Sequence, residues 1–232
     1  MIKIENIVTP NGAQWEAVVR AMRNPLNSWG KSDSKWEWVE DPSIINPDDP
    51  GMRFVIGKAD LDLMRRLAKA GSDHRKYLRM LPVWMDVTAP LYWWKEADTY
   101  KVGTVANSCS TMHKIHAKEF ALDDFSMSHS RASQSLLFGM KPHLATTIEI
   151  LNKAREGFLK TDNKEYWWFM IENLPSSYNQ RRTLFLNYEV LWNIYNARKE
   201  HKLNEWRDFC VTVIREIPYF AEIFLIGAAE ND

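Results

Sequence analysis

Strand-like and helix-like segments interleave along this 232-residue chain without a regular βαβ rhythm. That order points to an α+β fold with a small central mixed or antiparallel sheet flanked by helices. The clearest unit opens at Pro175. Arg182, Leu184 and Leu186 alternate with Thr183 and Phe185, as a strand requires. Asn187 then suits an N-cap, and the spacing predicts a helix to about Arg198. Glu189 in its first turn complements the helix dipole. Leu191, Ile194, Tyr195 and Arg198 share one face of that helix.

Other elements follow by the same reasoning. Ile2–Ile7 alternates like a strand, and Trp15–Met22 reads as a short helix. Residues 24–51 are rich in Pro, Asn, Asp, Ser and Gly and read as a long loop, a lid or an interface arm, with turns at Asn46-Pro47 and Pro50-Gly51. Phe54–Ile56 is a short strand, and Asp60–Ala70 a helix with Asp60 as candidate cap and Gly71 as stop. Val83–Thr88 is a strand, and Pro90 opens a helix to Thr99. Leu144–Leu159 and Lys164–Glu172 read as helices. Asn204–Ile217 is the strongest amphipathic helix, with Trp206, Phe209, Cys210, Val213 and Ile217 on one side. Pro218 breaks it before a last helix, Tyr219–Ile226. We read 1–232 as a single α+β domain.

Composition narrows the function classes. Hydrophobic residues make up 45% and charged residues 26%, which excludes disorder as the main state. Thirty basic residues balance thirty acidic ones, which argues against a nucleic-acid polymer or a membrane surface as partner. No apolar run is long enough to span a bilayer, the N-terminus has no apolar signal core, and Cys109 and Cys210 form no disulfide framework. The expected location is the cytoplasm. Eleven tryptophans imply burial in a core or subunit interface, or a ring stacked on a ligand.

The chain has no G-x-G-x-x-G, P-loop, H-E-x-x-H or G-x-S-x-G motif. Lys101–His116 is small, polar and aperiodic, which marks it as a ligand-site candidate. Cys109, His113 and His116, with His129 and His143 further on, lack a fourth ligand at diagnostic spacing, so no metal site is assigned. Cys109 is a nucleophile or a small packed residue, and Asp86 and Asp98 are acid–base groups or paired carboxylates. Lys95 and Glu96 fall on a polar helix face. Arg198 at a helix end is a surface ion pair or a ligand-binding guanidinium.

Two stretches resemble a known family. The run Leu174–Arg198 (LPSSYNQRRTLFLNYEVLWNIYNAR), the NEWRDF helix and the IPYFAEIF ending resemble the C-terminal half of flavin-dependent thymidylate synthases. The family pattern is an LP turn with a tyrosine, a strand, then N-x-R-x-x-x-N/H-F-x-x-x-R. Pro175, Asn187, Asn193 and Arg198 match its spacing. Tyr178 comes one place early, and Glu189 stands where the motif has its first arginine. Val87–Tyr92 resembles the family's V-x-A-P-I-F. The resemblance runs from about residue 60 to the end.

The resemblance implies a fold, a homotetramer with sites between subunits, and reductive methylation of dUMP or a related pyrimidine deoxynucleotide with FAD, NADPH and methylenetetrahydrofolate. It implies that Arg198 polarises the pyrimidine, because a guanidinium stabilises charge developing on ring carbonyls. It places Asn187, Asn193 and His74 near flavin. The R-H-R that holds FAD in the family falls on Thr99, Tyr100 and Lys101, which removes a guanidinium pair. The phosphate-binding serine and arginine fall on Cys109 and Thr111, where Ser108, Ser110 and Thr111 offer an anion nest, with Arg181 nearby. The altered arginine motif keeps two other readings open: a non-catalytic nucleotide-binding or scaffold homologue without flavin, and a phage-type enzyme on another pyrimidine.

Overall fold

The computed structural model describes residues 2–38, 51–127 and 134–225. The Asn46-Pro47 turn, Pro50, His129 and Ile226 lie outside them. Four antiparallel strands, β1 (Lys3–Val8), β4 (Pro82–Pro90), β6 (Asn179–Asn187) and β5 (Val105–Ser108), form a sheet in the order β1-β4-β6-β5. The central strands pair without interruption from Pro82 opposite Asn187 to Pro90 opposite Asn179. β1 shifts register between Glu5 and Val8, where Asn6 takes a φ of 50°. A separate hairpin joins β2 (Lys35–Trp38) to β3 (Met52–Val55).

The two sides of the sheet differ as the period of two demands. Val83, Met85, Val87 and Ala89 of β4 and Leu184 and Leu186 of β6 are buried in the core. Helices α1 (Gly12–Arg23), α2 (Lys58–Lys69), α3 (Leu91–Ala97), α7 (Tyr188–Arg198), α8 (Asn204–Glu216) and α9 (Phe220–Phe224) contribute to the same core. On the opposite side Trp84 and Phe185 face each other across the central pair, with ring centroids 5.1 Å apart. The short α4 (Thr111–Lys114) leads to a second, smaller cluster. It gathers Phe120 and Phe125 against Leu151 of α5 (Gln134–Thr161) and Met170 of α6 (Lys164–Glu172).

Of the tryptophans, Trp15, Trp93, Trp94 and Trp206 are buried, whereas Trp29, Trp38, Trp84 and Trp168 are exposed.

Two expectations are corrected here. Residues 24–51 are not loop throughout, since Lys35–Trp38 is a strand whose partner is β3. Its two tryptophans and two charges gave a four-residue alternation too short to stand out beside the turn-rich flanks. Asp60 is not the cap of α2. The N-cap residue is Gly57, and the free N–H groups of that end are met from a distance in sequence. Asp33 accepts from the N–H groups of Ala59 (2.8 Å) and Asp60 (3.1 Å). The Asp60 side chain turns inward, is fully buried and pairs with Arg23 at 2.5 Å.

Candidate functional site

The C-terminus of α3, the turn that follows it, β5, and the facing sides of β6, α7 and α8 enclose a cavity of about 420 Å³. Its walls are largely aromatic, from Trp93, Trp94, Tyr100 and Trp206, with Lys101, Asp98 and Thr104 as polar members. The volume falls within the usual range for small-molecule sites. The turn depends on Gly103, which has a φ of 77°. A Cβ there would lie 2.8 Å from the Asn187 Nδ2. Gly103→Ala is therefore expected to lower stability by more than about 1 kcal/mol in thermal unfolding. An unchanged melting curve would show that the turn relaxes freely.

Arg198 meets the 99–104 turn at the wall of this cavity. Its Nε donates to the Tyr100 hydroxyl (3.0 Å) and its Nη1 to Glu96 Oε2 (2.8 Å). The guanidinium lies 4.9 Å from the centre of the Trp206 ring, within cation–π range. Trp206 Nε1 donates to the same Glu96 oxygen (2.8 Å), and His201 Nε2 stands 3.5 Å from it. Among the described residues, Arg198 Nη2 has no hydrogen-bond partner. Glu96 thus belongs to the cluster and is not simply part of a polar helix face. Its one-turn spacing from buried Trp93 was the available signal.

A second arginine, on β6, contacts two residues of the cavity wall, Asp98 and Trp94. Arg182 donates to Asp98 (2.7 Å) and Gln180 (2.9 Å), and its guanidinium lies 4.2 Å from the centre of the Trp94 ring. Gln180 donates in turn to the Cys109 carbonyl (3.1 Å) and the Thr111 hydroxyl (2.7 Å). Arg181 is on the opposite side of the sheet, paired with Asp86 at 2.6 Å. The strand alternation already grouped Arg182 with Leu184 and Leu186, so Arg182, not Arg181, is the cavity-side arginine. Asp86 also receives the Thr183 hydroxyl (2.5 Å) and the Asn6 amide (2.8 Å). These bonds, Thr183 first, with the Arg181 pairing, hold its carboxyl far below the usual range.

The other sequence-derived positions divide. Tyr100 and Lys101 line the cavity, and Thr99 is exposed with its hydroxyl donated to the Glu96 carbonyl (2.7 Å). Asn187 is buried, and its Oδ1 accepts the Val190 N–H (3.0 Å), as a cap does. Asn193 is exposed on α7, and His74 is exposed beside Arg75. Ser108 ends β5, and the exposed Cys109 donates its N–H to the Arg181 carbonyl (2.9 Å). The Ser110 hydroxyl accepts the His113 N–H (3.2 Å) and so caps α4. The nest expected over 108–111 therefore has its Cys109 N–H and the Ser110 and Thr111 hydroxyls already engaged. Among the described residues, no group of three or more His, Cys, Asp or Glu could hold a metal ion.

No protein-family model and no curated protein matches the chain. Solved structures do. One is a thymidylate synthase X from Helicobacter pylori with FAD and dUMP, 14% identical, covering 97% of this chain and 96% of its own, with a TM-score of 0.62. A second, a flavin-dependent thymidylate synthase from the same organism complexed with FAD and dUMP, gives the same identity and TM-score and is covered over 97% of its length. The chain has the fold of flavin-dependent thymidylate synthases. The expected α+β class and family fold are thus correct.

Several of the flavin positions carried over from the resemblance already have partners within this chain. Asn187 is taken up by its cap and packed under Gly103, Tyr100 is bonded to Arg198, and Thr99 is bonded to Glu96. Lys101 is the one cation of the 99–101 strip. Among the described residues no helix is long and apolar enough to cross a membrane.

Proposed function

We propose that this chain binds a pyrimidine deoxynucleotide such as dUMP beside Arg198, as a divergent relative of the flavin-dependent thymidylate synthases. The observation that carries the proposal is the meeting of Arg198, Tyr100 and Glu96 from two distant segments. Tyr100 and Glu96 fix the guanidinium through Nε and Nη1. That orientation leaves Nη2 for a ring carbonyl, and a preset donor loses little freedom on binding. Lys101, at the adjoining cavity, supplies a charge for the phosphate. The reading includes a homotetramer in the cytoplasm.

Calorimetric titration with dUMP tests it. Arg198→Ala is expected to weaken binding by roughly 10- to 100-fold, the worth of a charge-assisted hydrogen bond. Equal affinity in the two proteins would remove Arg198 from the site.

A second reading, reductive methylation with FAD, NADPH and methylenetetrahydrofolate, is favoured by the FAD and dUMP of the two similar structures. The engagement of Asn187, Thr99 and Tyr100 speaks against it. A purified protein that is colourless and takes up no added FAD would eliminate this second reading and leave nucleotide binding standing.

A further inference from the structure

Arg198 has one more neighbour, whose chemistry the nucleotide contact does not use. His201 lies just past the end of α7, and its N–H donates to the Arg198 carbonyl (3.0 Å). That turn brings the imidazole back against the guanidinium. The Leu203 N–H donates to Nδ1 (3.2 Å), and Arg198 Nη1 stands 3.0 Å from Nε2. Glu96 Oε2 lies 3.5 Å from the same Nε2 and already accepts from Arg198 Nη1 and Trp206 Nε1, each at 2.8 Å.

A neutral imidazole has one N–H and one lone pair. With the lone pair on Nδ1 it receives the Leu203 N–H, and the Nε2–H is left beside Glu96 Oε2. With the lone pair on Nε2 it receives the second hydrogen of Arg198 Nη1. Each neutral tautomer therefore satisfies one of the two donors. The imidazolium has no lone pair, so it sets N–H against N–H at both nitrogens. It also puts a second cation on the one carboxylate that orients Arg198. The surroundings add no other counter-charge: α3 brings Glu96, α7 brings Arg198, and α8 presents Trp206, with ring centroids 6.5 Å apart. Tyr100 joins the cluster through Arg198 Nε, and Lys199, Glu200 and Lys202, which flank the ring in sequence, are exposed. We propose that His201 is a positioning residue for Arg198 that works only as the neutral imidazole, so that protonation of its ring loosens the guanidinium and weakens the nucleotide contact. This regulation rests on the nucleotide binding proposed above. It makes that binding fall as pH drops through the range in which imidazoles charge, about pH 8 to 5.

The test is a calorimetric titration of the full chain with dUMP at about pH 7.5 and about pH 5.5, in the parent and in His201→Gln. The glutamine amide offers an oxygen acceptor and an N–H donor and does not titrate. His201→Gln is expected to bind dUMP at the higher pH within about 3-fold of the parent. On acidification the parent should lose about 10-fold more affinity than His201→Gln. The phosphate of dUMP takes up a proton in the same range, but both proteins meet the same ligand, so the difference isolates the ring. His201→Phe keeps a flat ring without an acceptor and is expected to weaken dUMP roughly 3- to 10-fold at the higher pH. A second measurement needs no ligand. The order parameter of the Arg198 Nε–H, from NMR relaxation, should fall on acidification in the parent and stay constant in His201→Gln. The proposal is overturned if the two proteins share one pH dependence of dUMP affinity, or if the parent's Arg198 order parameter ignores pH. A cooperatively melting His201→Phe that binds dUMP as the parent does would also overturn it. If dUMP binds neither protein at either pH, nucleotide binding itself fails, and the relaxation measurement still decides whether His201 positions Arg198.

Discussion

Asp60→Ala is expected to lower the folding free energy by about 3–5 kcal/mol, because it leaves a buried guanidinium without its counter-charge. Asp60 is fully buried and Arg23 is 4% exposed. The carboxylate holds more than this one partner. Its Oδ2 accepts the hydroxyls of Ser32 and Ser34, each at 2.7 Å, and the N–H groups of Asp33 (3.2 Å) and Ser34 (3.1 Å). One side chain thus fastens the whole 32–34 turn to α2, while Asp33 returns the contact by capping that helix. Denaturant unfolding of Asp60→Ala and Asp60→Asn measures the effect. A loss below about 1 kcal/mol in both would show that the 32–34 turn is not anchored there.

The pH dependence has a definite sign. Burial acts to raise the Asp60 pKa, but the bonds from Ser32, Ser34 and Arg23 outweigh it and the net shift is downward. A depressed folded pKa means stability that is fully present above the unfolded value, near 3.9, and lost as pH falls through the folded one. The gap in stability between the parent and Asp60→Asn should therefore be constant near neutrality and shrink below about pH 4. A gap that widens on acidification would contradict the ion pair.

What the sequence made legible was local. Periodicity located β4, β6, α7 and α8, and the cap chemistry at Asn187 placed the start of α7. A spacing match to a family, with 14% identity to its solved members, was enough to reach the fold. The hidden parts were all set by partners far along the chain. The buried role of Asp60 needs Arg23 and Ser34, on segments that read as helix end and loop. Glu96 joins the site only because Arg198 and Trp206 arrive from 102 and 110 residues away. The choice between Arg181 and Arg182 was, by contrast, already written in the strand alternation and needed only the inward face to be identified.

Glu189→Arg, which restores the arginine of the family pattern, is expected to destabilise the protein by about 4 kcal/mol or more rather than improve it. Glu189 is 8% exposed and is held by Arg75 at 3.1 Å and by Arg79. Burial acts to raise its pKa, and the two arginines override that and keep it ionised. An arginine at 189 would gather three guanidinium groups at one point, where Arg75 and residue 189 are mostly buried and Arg79 is half-exposed. It would also replace an anion by a cation in the first turn of α7, against the helix dipole. Glu189→Gln should cost less, since it removes the attraction without adding repulsion. Combining Glu189→Arg with Arg75→Glu should recover much of the loss, and a double-mutant cycle from denaturant unfolding measures the coupling. If the single restoration is as stable as the parent, Glu189 is a neutral departure. If the cycle shows strong coupling, the departure is an exchange of charge between 189 and the 75–79 segment, and the family's arginine is excluded here by partners that now require an acid.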